Sequence, residues 1–195
     1  MSKRFILNNV GLSDKSGIIK YKDYGKNSGV NTLLTSADFS DGYLNYELLE
    51  GIIDTGNSYC QKNGIKNIDF LKIDVEGAEH LVLYGFSELL DRQDIRIIQF
   101  EYGYTNGDAH FLMKDFYNFF EKLGYKVGKI RRAGIDFSPF TYRNNDFNSG
   151  PNYIAVKEND NEIISLLSKS LANKKMSVTE FMRHGNTVKS GLRNE

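Results

Sequence analysis

Residues 70–79, Phe-Leu-Lys-Ile-Asp-Val-Glu-Gly-Ala-Glu, constrain the fold more than any other stretch of the chain. A strand-like run, Phe70 to Ile73, stops at Asp74. A second carboxylate, Glu76, comes two positions later. Gly77 follows, and from Ala78 the apolar residues take helical spacing. Strand, acid, tight turn and helix, in that order, are how an open α/β sheet builds a ligand site beyond the carboxyl ends of its strands.

The flanking segments fit that architecture. Ile68, Phe70, Leu71 and Ile73 are apolar without alternation, which predicts a central strand over residues 65–74 that is covered on both faces. Ala78, Leu81, Val82, Phe86, Leu89 and Leu90 form the stripe of a helix lying on a sheet, with Gly85 ending a first segment and Ser87 capping a second. Residues 95–101 (IRIIQFE) predict the next strand, and it too ends in a carboxylate, Glu101. Residues 102–109 read as a polar loop. Residues 111–123 predict a helix with Phe111, Leu112, Phe116, Phe119, Phe120 and Leu123 on one face and Gly124 as its stop. That aromatic stripe reads as core packing. Residues 125–130 and 152–156 predict two further strands joined by an aromatic-rich connection.

Upstream, the apolar run Phe5-Ile6-Leu7 predicts a strand over residues 4–10, and rough alternation predicts a half-exposed antiparallel strand over 18–24. Residues 23–42 are rich in Gly, Ser, Asn and Asp and read as a surface excursion. Residues 43–55 show no clear period. Residues 58–64 predict a short helix. Beyond Lys157, Ile163, Ile164, Leu167 and Leu171 predict an amphipathic helix, and Ser177 with Glu180 resembles a capping box. The expected division is a catalytic domain over residues 1–157 and a helical tail over 158–195.

The totals exclude several classes. Among 195 residues, 25 basic and 25 acidic side chains cancel, so no basic excess points to nucleic acid and no polybasic run to an anionic membrane. No apolar run is long enough for a membrane span, and no hydrophobic signal segment follows Met1. Cys60 is the sole cysteine, so no intrachain disulfide forms, which fits a reducing, cytoplasmic setting.

LKIDVEGAE, VLYG, IIQFEYG, KDFYNFFEKLGYKVGKI and GPNYIAV, in that order and preceded by VGLSDKSG, resemble the C-terminal two-thirds of an FkbM-type methyltransferase. The resemblance spans residues 4–157. It implies an α/β, Rossmann-like methyltransferase sheet, mostly parallel with an antiparallel edge hairpin, in the strand order third, second, first, fourth, fifth, seventh, sixth. It also implies S-adenosylmethionine as methyl donor and a hydroxyl of a sugar, glycolipid or other small molecule as acceptor. One departure stands out. In that fold class the donor sits on a glycine-rich turn after the first strand, because only glycine lets backbone approach so closely. No apolar strand feeds the nearest candidate, Gly25 to Gly29. The chain therefore reads as lacking the first two strands of the sheet: a fragment of a longer reading frame, a chain completed by an N-terminal segment or a second copy, or a degenerate copy whose strands re-pair. Weak donor binding is the expectation. The rival reading is a non-enzymatic interaction module descended from a methyltransferase.

Asp74 and Glu101 are expected at the ends of adjacent parallel strands. There two carboxylates can share a proton, raising one pKa toward that of a general base, or hold a divalent metal that acidifies the hydroxyl. Glu76 faces the same crevice or caps the following helix. Asp74, Glu76 and Glu101 are thus the candidate catalytic residues. Asn9, Asp74 and Gly77 are candidates for holding the donor, Asn9 because the resemblance puts end-of-strand residues near its adenine. Glu79 is expected to solvate or support the helix. Lys72 is expected to pair with a buried acid or to snorkel to the sheet edge, and His110 is a weaker candidate base.

Overall fold

The computed structural model describes residues 5–25, 46–147 and 150–168. Two sheets organise them. The smaller contains β1 (Gly11–Ser13), β2 (Gly17–Asp23) and β3 (Glu47–Thr55), with β3 in the middle, parallel to β1 and antiparallel to β2. The alternation in β2 is thus that of an antiparallel strand. The first strand is shorter and later than its apolar run suggests: Phe5, Ile6 and Leu7 lie outside any ladder and are exposed. Residues 26–42 of the surface excursion at 23–42, and the capping box at Ser177, lie outside the described residues.

β3 hands the chain to α1 (Gly56–Lys62) through Asp54 and Thr55. Thr55 Oγ1 caps the helix by accepting from the Ser58 amide at 3.1 Å. Asp54 accepts from Ser16 Oγ at 2.6 Å, Lys62 Nζ at 2.8 Å and the Thr55 amide at 2.9 Å. One carboxylate so ties β2, β3 and α1 together. The Lys62 ammonium, then the Ser16 hydroxyl, hold its carboxyl well below the usual carboxylate range.

The larger sheet takes the remaining strands: β4 (Ile68–Ile73), β5 (Ile95–Glu101), β6 (Tyr125–Arg131), β7 (Gly134–Asp136) and β8 (Asn152–Lys157). Its order is β4-β5-β8-β6-β7. The expected mostly parallel sheet is corrected here. Only β4 and β5 pair in parallel, whereas β8 is antiparallel to both β5 and β6, and β6–β7 is a hairpin. The reason is that β8 returns between β5 and β6 and separates two strands that point the same way. The four strands of this sheet that the resemblance covers do follow its fourth, fifth, seventh, sixth order. β4 is also not central: among the described residues it pairs with β5 alone, and Phe70 is 51% exposed.

Helices α2 (Glu79–Gly85) and α3 (Ser87–Asp91) join β4 to β5, and α4 (Tyr104–Asp108) and α5 (Met113–Lys122) join β5 to β6. The expected polar loop at 102–109 thus contains a helical turn. α5 begins later than its aromatic stripe, and buries Met113, Phe116, Tyr117 and Phe120. Phe116 stacks on Phe100 of β5 at 4.7 Å between ring centroids, and Phe100 stacks on Tyr153 of β8 at 5.8 Å. Each such ring contributes roughly 2 kcal/mol by leaving water. A short 3-10 helix, Tyr142–Asn145, lies between β7 and β8, and α6 (Asn161–Ser168) follows β8, anchored where Arg96 Nε donates to Asp160 at 2.7 Å.

The smaller sheet and α1 meet the end of α2 at a seam of small residues. A Cβ on Gly85 would stand 2.1 Å from the Ser13 carbonyl oxygen, and one on Gly56 would stand 2.4 Å from the Phe86 ring. Gly85→Ala is expected to lower unfolding stability by about 1–3 kcal/mol in urea, because the backbone of β1 must move. Asp54→Asn is expected to lower the thermal midpoint at neutral pH. A carboxyl held low stabilises the fold above its usual pKa and loses that contribution as it protonates, so the gap to wild type should close only in strong acid.

Candidate active site

Ile73 of β4 stands opposite Phe100 of β5 in the parallel ladder. The next residues, Asp74 and Glu101, therefore leave the sheet side by side, with their strands about 4.8 Å apart. Glu76 joins them from the turn. One carboxylate oxygen from each of Asp74, Glu76 and Glu101 lies within 4.8 Å of the others. The structure thus brings together the three acids that the sequence singles out.

The turn between β4 and α2 is what aims Glu76. Glu76 has φ +51° and Gly77 φ +99°. The left-handed region costs a residue with a Cβ roughly 1–2 kcal/mol, so something must hold it there. That group is Glu79, which is 1% exposed. Its Oε1 accepts from the Val75 amide at 3.2 Å, and its Oε2 accepts from the Gly77 amide at 3.0 Å and from Asn106 Nδ2 at 2.7 Å. Asn106 Oδ1 in turn accepts from the Gly103 amide at 2.8 Å. A buried carboxylate and a buried amide so lock the turn after β4 to α4, the turn after β5.

Electrostatics follow from this crowding. Burial, then the Glu101 and Asp74 carboxylates, push the Glu76 carboxyl above its ordinary range. Burial, then Asp74, do the same to Glu101, against the opposing pull of Lys72. Burial pushes Glu79 up as well, opposed by the hydrogen bonds it accepts. Lys72 makes an ion pair with Asp74, and that hydrogen bond raises its own pKa. Lys72 does pair with an acid, but the acid is the exposed Asp74 of the site itself and not a buried one.

Three oxygens at this spacing suit a divalent cation, which takes carboxylates readily. The Lys72 ammonium already occupies part of that role. Carboxylates with raised pKa can equally accept a proton from a hydroxyl.

Gly77 sits in the tight turn, in a conformation that favours glycine. Asn9 is exposed two residues ahead of β1 and does not end a strand. His110 is exposed, with φ +55° and its amide donating to Gly107, and it is not part of the acidic cluster. Two residues escaped the sequence reading. Asn106 is legible only as one polar residue in a polar segment; its role depends on Glu79, remote in sequence. Tyr104, on α4, has its phenol pushed up by burial and then by Glu76, which places it within electrostatic reach of the acids.

A mixed α/β sheet in which β8 runs back between β5 and β6 is consistent with a methyltransferase-like fold. The family model of the methyltransferase FkbM domain matches residues 6–127, and the chain belongs to that family. The match runs from ahead of β1 into β6; β7, β8 and α6 lie beyond it. No curated protein and no solved structure matches the chain.

Asn106→Asp would set a like charge against Glu79 and is expected to lower stability by about 3 kcal/mol or more at neutral pH, measured by urea unfolding. Glu101→Gln should do the opposite, by up to about 1 kcal/mol once solvent screening is allowed for. The sign follows from the raised pKa: the folded state prefers the protonated carboxyl, so the ionised group is a burden at neutral pH. Below the usual carboxylate range the wild-type group is protonated too, and the advantage of the amide should vanish.

Proposed function

We propose that the chain acts in S-adenosylmethionine-dependent methyl transfer to a hydroxyl of a sugar, glycolipid or other small molecule. The observation that carries this reading is the convergence of Asp74, Glu76 and Glu101 at the carboxyl edge of β4 and β5, within the matched FkbM region. A methyl donor with a positive sulfonium suits a rim of carboxylates, and it supplies the electrophilic carbon when bound. The acceptor hydroxyl must lose its proton as it attacks. Glu101 is assigned as the base: it ends β5 beside Asp74, and its raised pKa suits it to accept a proton. Asp74, neutralised in part by Lys72, is assigned to positioning the donor and acceptor, with Glu76 beside it. Gly77 offers close backbone approach at the turn, and Asn9 is retained as a donor contact only on the family resemblance. A divalent cation held by the three acids would acidify the hydroxyl in place of a free base.

Residues 1–157 are taken as the methyltransferase unit and 158–195 as a tail. Among the described residues no helix is long and apolar enough to cross a membrane. A buried, lone Cys60 supports a cytoplasmic location.

A second reading has its own support. The edge of β4, open among the described residues, with half-exposed Phe70, and the exposed cross-strand pair Ile18 and Ile52 are surfaces for a protein partner, such as a completing segment or a second copy. It makes the chain an interaction module.

The two readings separate in a radiolabelled methyl-transfer assay against a glycan panel, run beside donor calorimetry. Donor affinity is expected to be weak, and Glu101→Gln should cut transfer by about 100-fold or more. The rate should rise with pH through a Glu101 midpoint above the usual carboxylate range. Unchanged transfer in the Gln variant would remove Glu101 from the mechanism. No transfer and no donor binding would leave the interaction module.

A further inference from the structure

The chain leaves the Glu101 strand end through Gly103-Tyr104-Thr105-Asn106-Gly107, and α4 sorts these side chains by side. Thr105 and Asn106 are buried, whereas Tyr104 is 54% exposed. The backbone that carries this ring is fixed. The Gly103 amide donates to Asn106 Oδ1 at 2.8 Å, and Asn106 Nδ2 donates to Glu79 Oε2 at 2.7 Å. The same carboxylate oxygen takes the Gly77 amide at 3.0 Å. Tyr104 lies between Gly103 and Asn106, so the lock that turns Glu76 toward the other acids also places the ring beside them. The electrostatic effect of Glu76 on the phenol agrees with that placement. Gly107, three residues further along α4, has no side chain to cover the ring. Exposed Phe147 comes within 3.4 Å of where a Gly107 Cβ would stand. This side of α4 is thus an apolar shelf next to three carboxylates.

We propose that Tyr104 is a stacking platform for a neutral sugar ring, and that it selects a carbohydrate over an acyclic alcohol at this site. One face of a pyranose carries axial C–H groups, weakly positive, which pack on the negative face of an aromatic ring. Its rim carries hydroxyls, which donate to carboxylates. A rigid ring beside Asp74, Glu76 and Glu101 matches both halves of such a ligand. A linear polyol would engage the acids alone and leave the shelf wet. An anionic sugar would set a further negative charge against three carboxylates. Stacking also fixes the plane of the sugar, and with it which hydroxyl stands at Glu101.

The part of Tyr104 in methyl transfer rests on the reading above; its part in sugar binding does not. The chain has no tryptophan, so Tyr104→Trp installs a lone fluorophore at the shelf. The full chain carrying it is titrated with the methyl glycosides of glucose, galactose, mannose and N-acetylglucosamine, with glycerol and glucuronate beside them. A saturable change is expected with at least one neutral glycoside, a weaker one with glucuronate and none with glycerol. By NMR, affinity for that glycoside should fall about tenfold in Tyr104→Ala and be kept in Tyr104→Phe. The side chain is exposed, so these variants are expected to fold. No saturable response to any of the four glycosides overturns the platform, as does an equal response from Tyr142→Trp, a control on the exposed Tyr142. Where transfer is measured, the loss in Tyr104→Ala should fall on the acceptor KM and not on kcat. Transfer with that KM unchanged would keep the transferase and overturn the platform. Sugar binding without transfer would keep the platform and remove the transferase.

Discussion

The buried carboxylate of Glu79 is the constraint on which the candidate site depends. It takes the amides of Val75 and Gly77 inward, and so forces the peptide between them to turn. Glu76, caught between two inward-facing amides, is driven to positive φ, and its side chain joins Asp74 and Glu101. The same carboxylate reaches Asn106 and so fixes α4, which brings Tyr104 near the acids. Removing a buried acid that satisfies three donors would leave each of them unpaired in a dry place. The site therefore rests on an acid that takes no direct part in the proposed chemistry. Burial raises the pKa of Glu79, and the donors around it pull the other way, so its hydrogen bonds offset much of the burden of placing an acid there.

The sequence revealed the acids because their physical cause is local. A strand run that stops at a carboxylate can be read without knowing its neighbours, and the two runs ending at Asp74 and Glu101 prove to be adjacent and parallel. β3 was not legible, because its sequence ELLEGIIDT pairs apolar residues instead of alternating them, and much of its surface remains exposed in the fold. The N-terminal run failed in the other direction. Phe5, Ile6 and Leu7 have the composition of a covered strand but no cover among the described residues. Composition reports what a segment favours; the ladder depends on a neighbour that composition does not name.

Sheet direction was hidden for a similar reason. β6 follows β5 through α5 and points the same way, which suggests a parallel neighbour. The intervening place goes to β8, the last strand to appear in the chain, and nothing in Asn152–Lys157 announces an insertion there. Core chemistry shows why it is accepted. Tyr153 stacks on Phe100, bonds Lys129 and packs edge-on against Tyr102 at 6.2 Å, so it joins the strands on both sides of β8. Gly128 makes room on β6, where a Cβ would meet Ile135 and Phe137 at 2.6 Å. Such fits are pairwise and remote in sequence, and periodicity cannot encode them.

The edge of β4 explains how an apolar strand with one partner among the described residues can persist. Two of its six residues are charged: Asp69 and Lys72 flank Phe70 and Leu71, and both are exposed. Charges along a free edge oppose the approach of a further strand, since pairing would bury them. Lys72 does this while paired with Asp74, so one side chain both guards the edge and lowers the charge of the cluster. That double role links edge and chemistry. A ligand or strand that draws Lys72 away from the cluster would remove its opposing pull on Glu101, whose carboxyl would then hold its proton more tightly. The basicity of Glu101 is then set by what occupies the open side of β4, and the edge becomes part of the site.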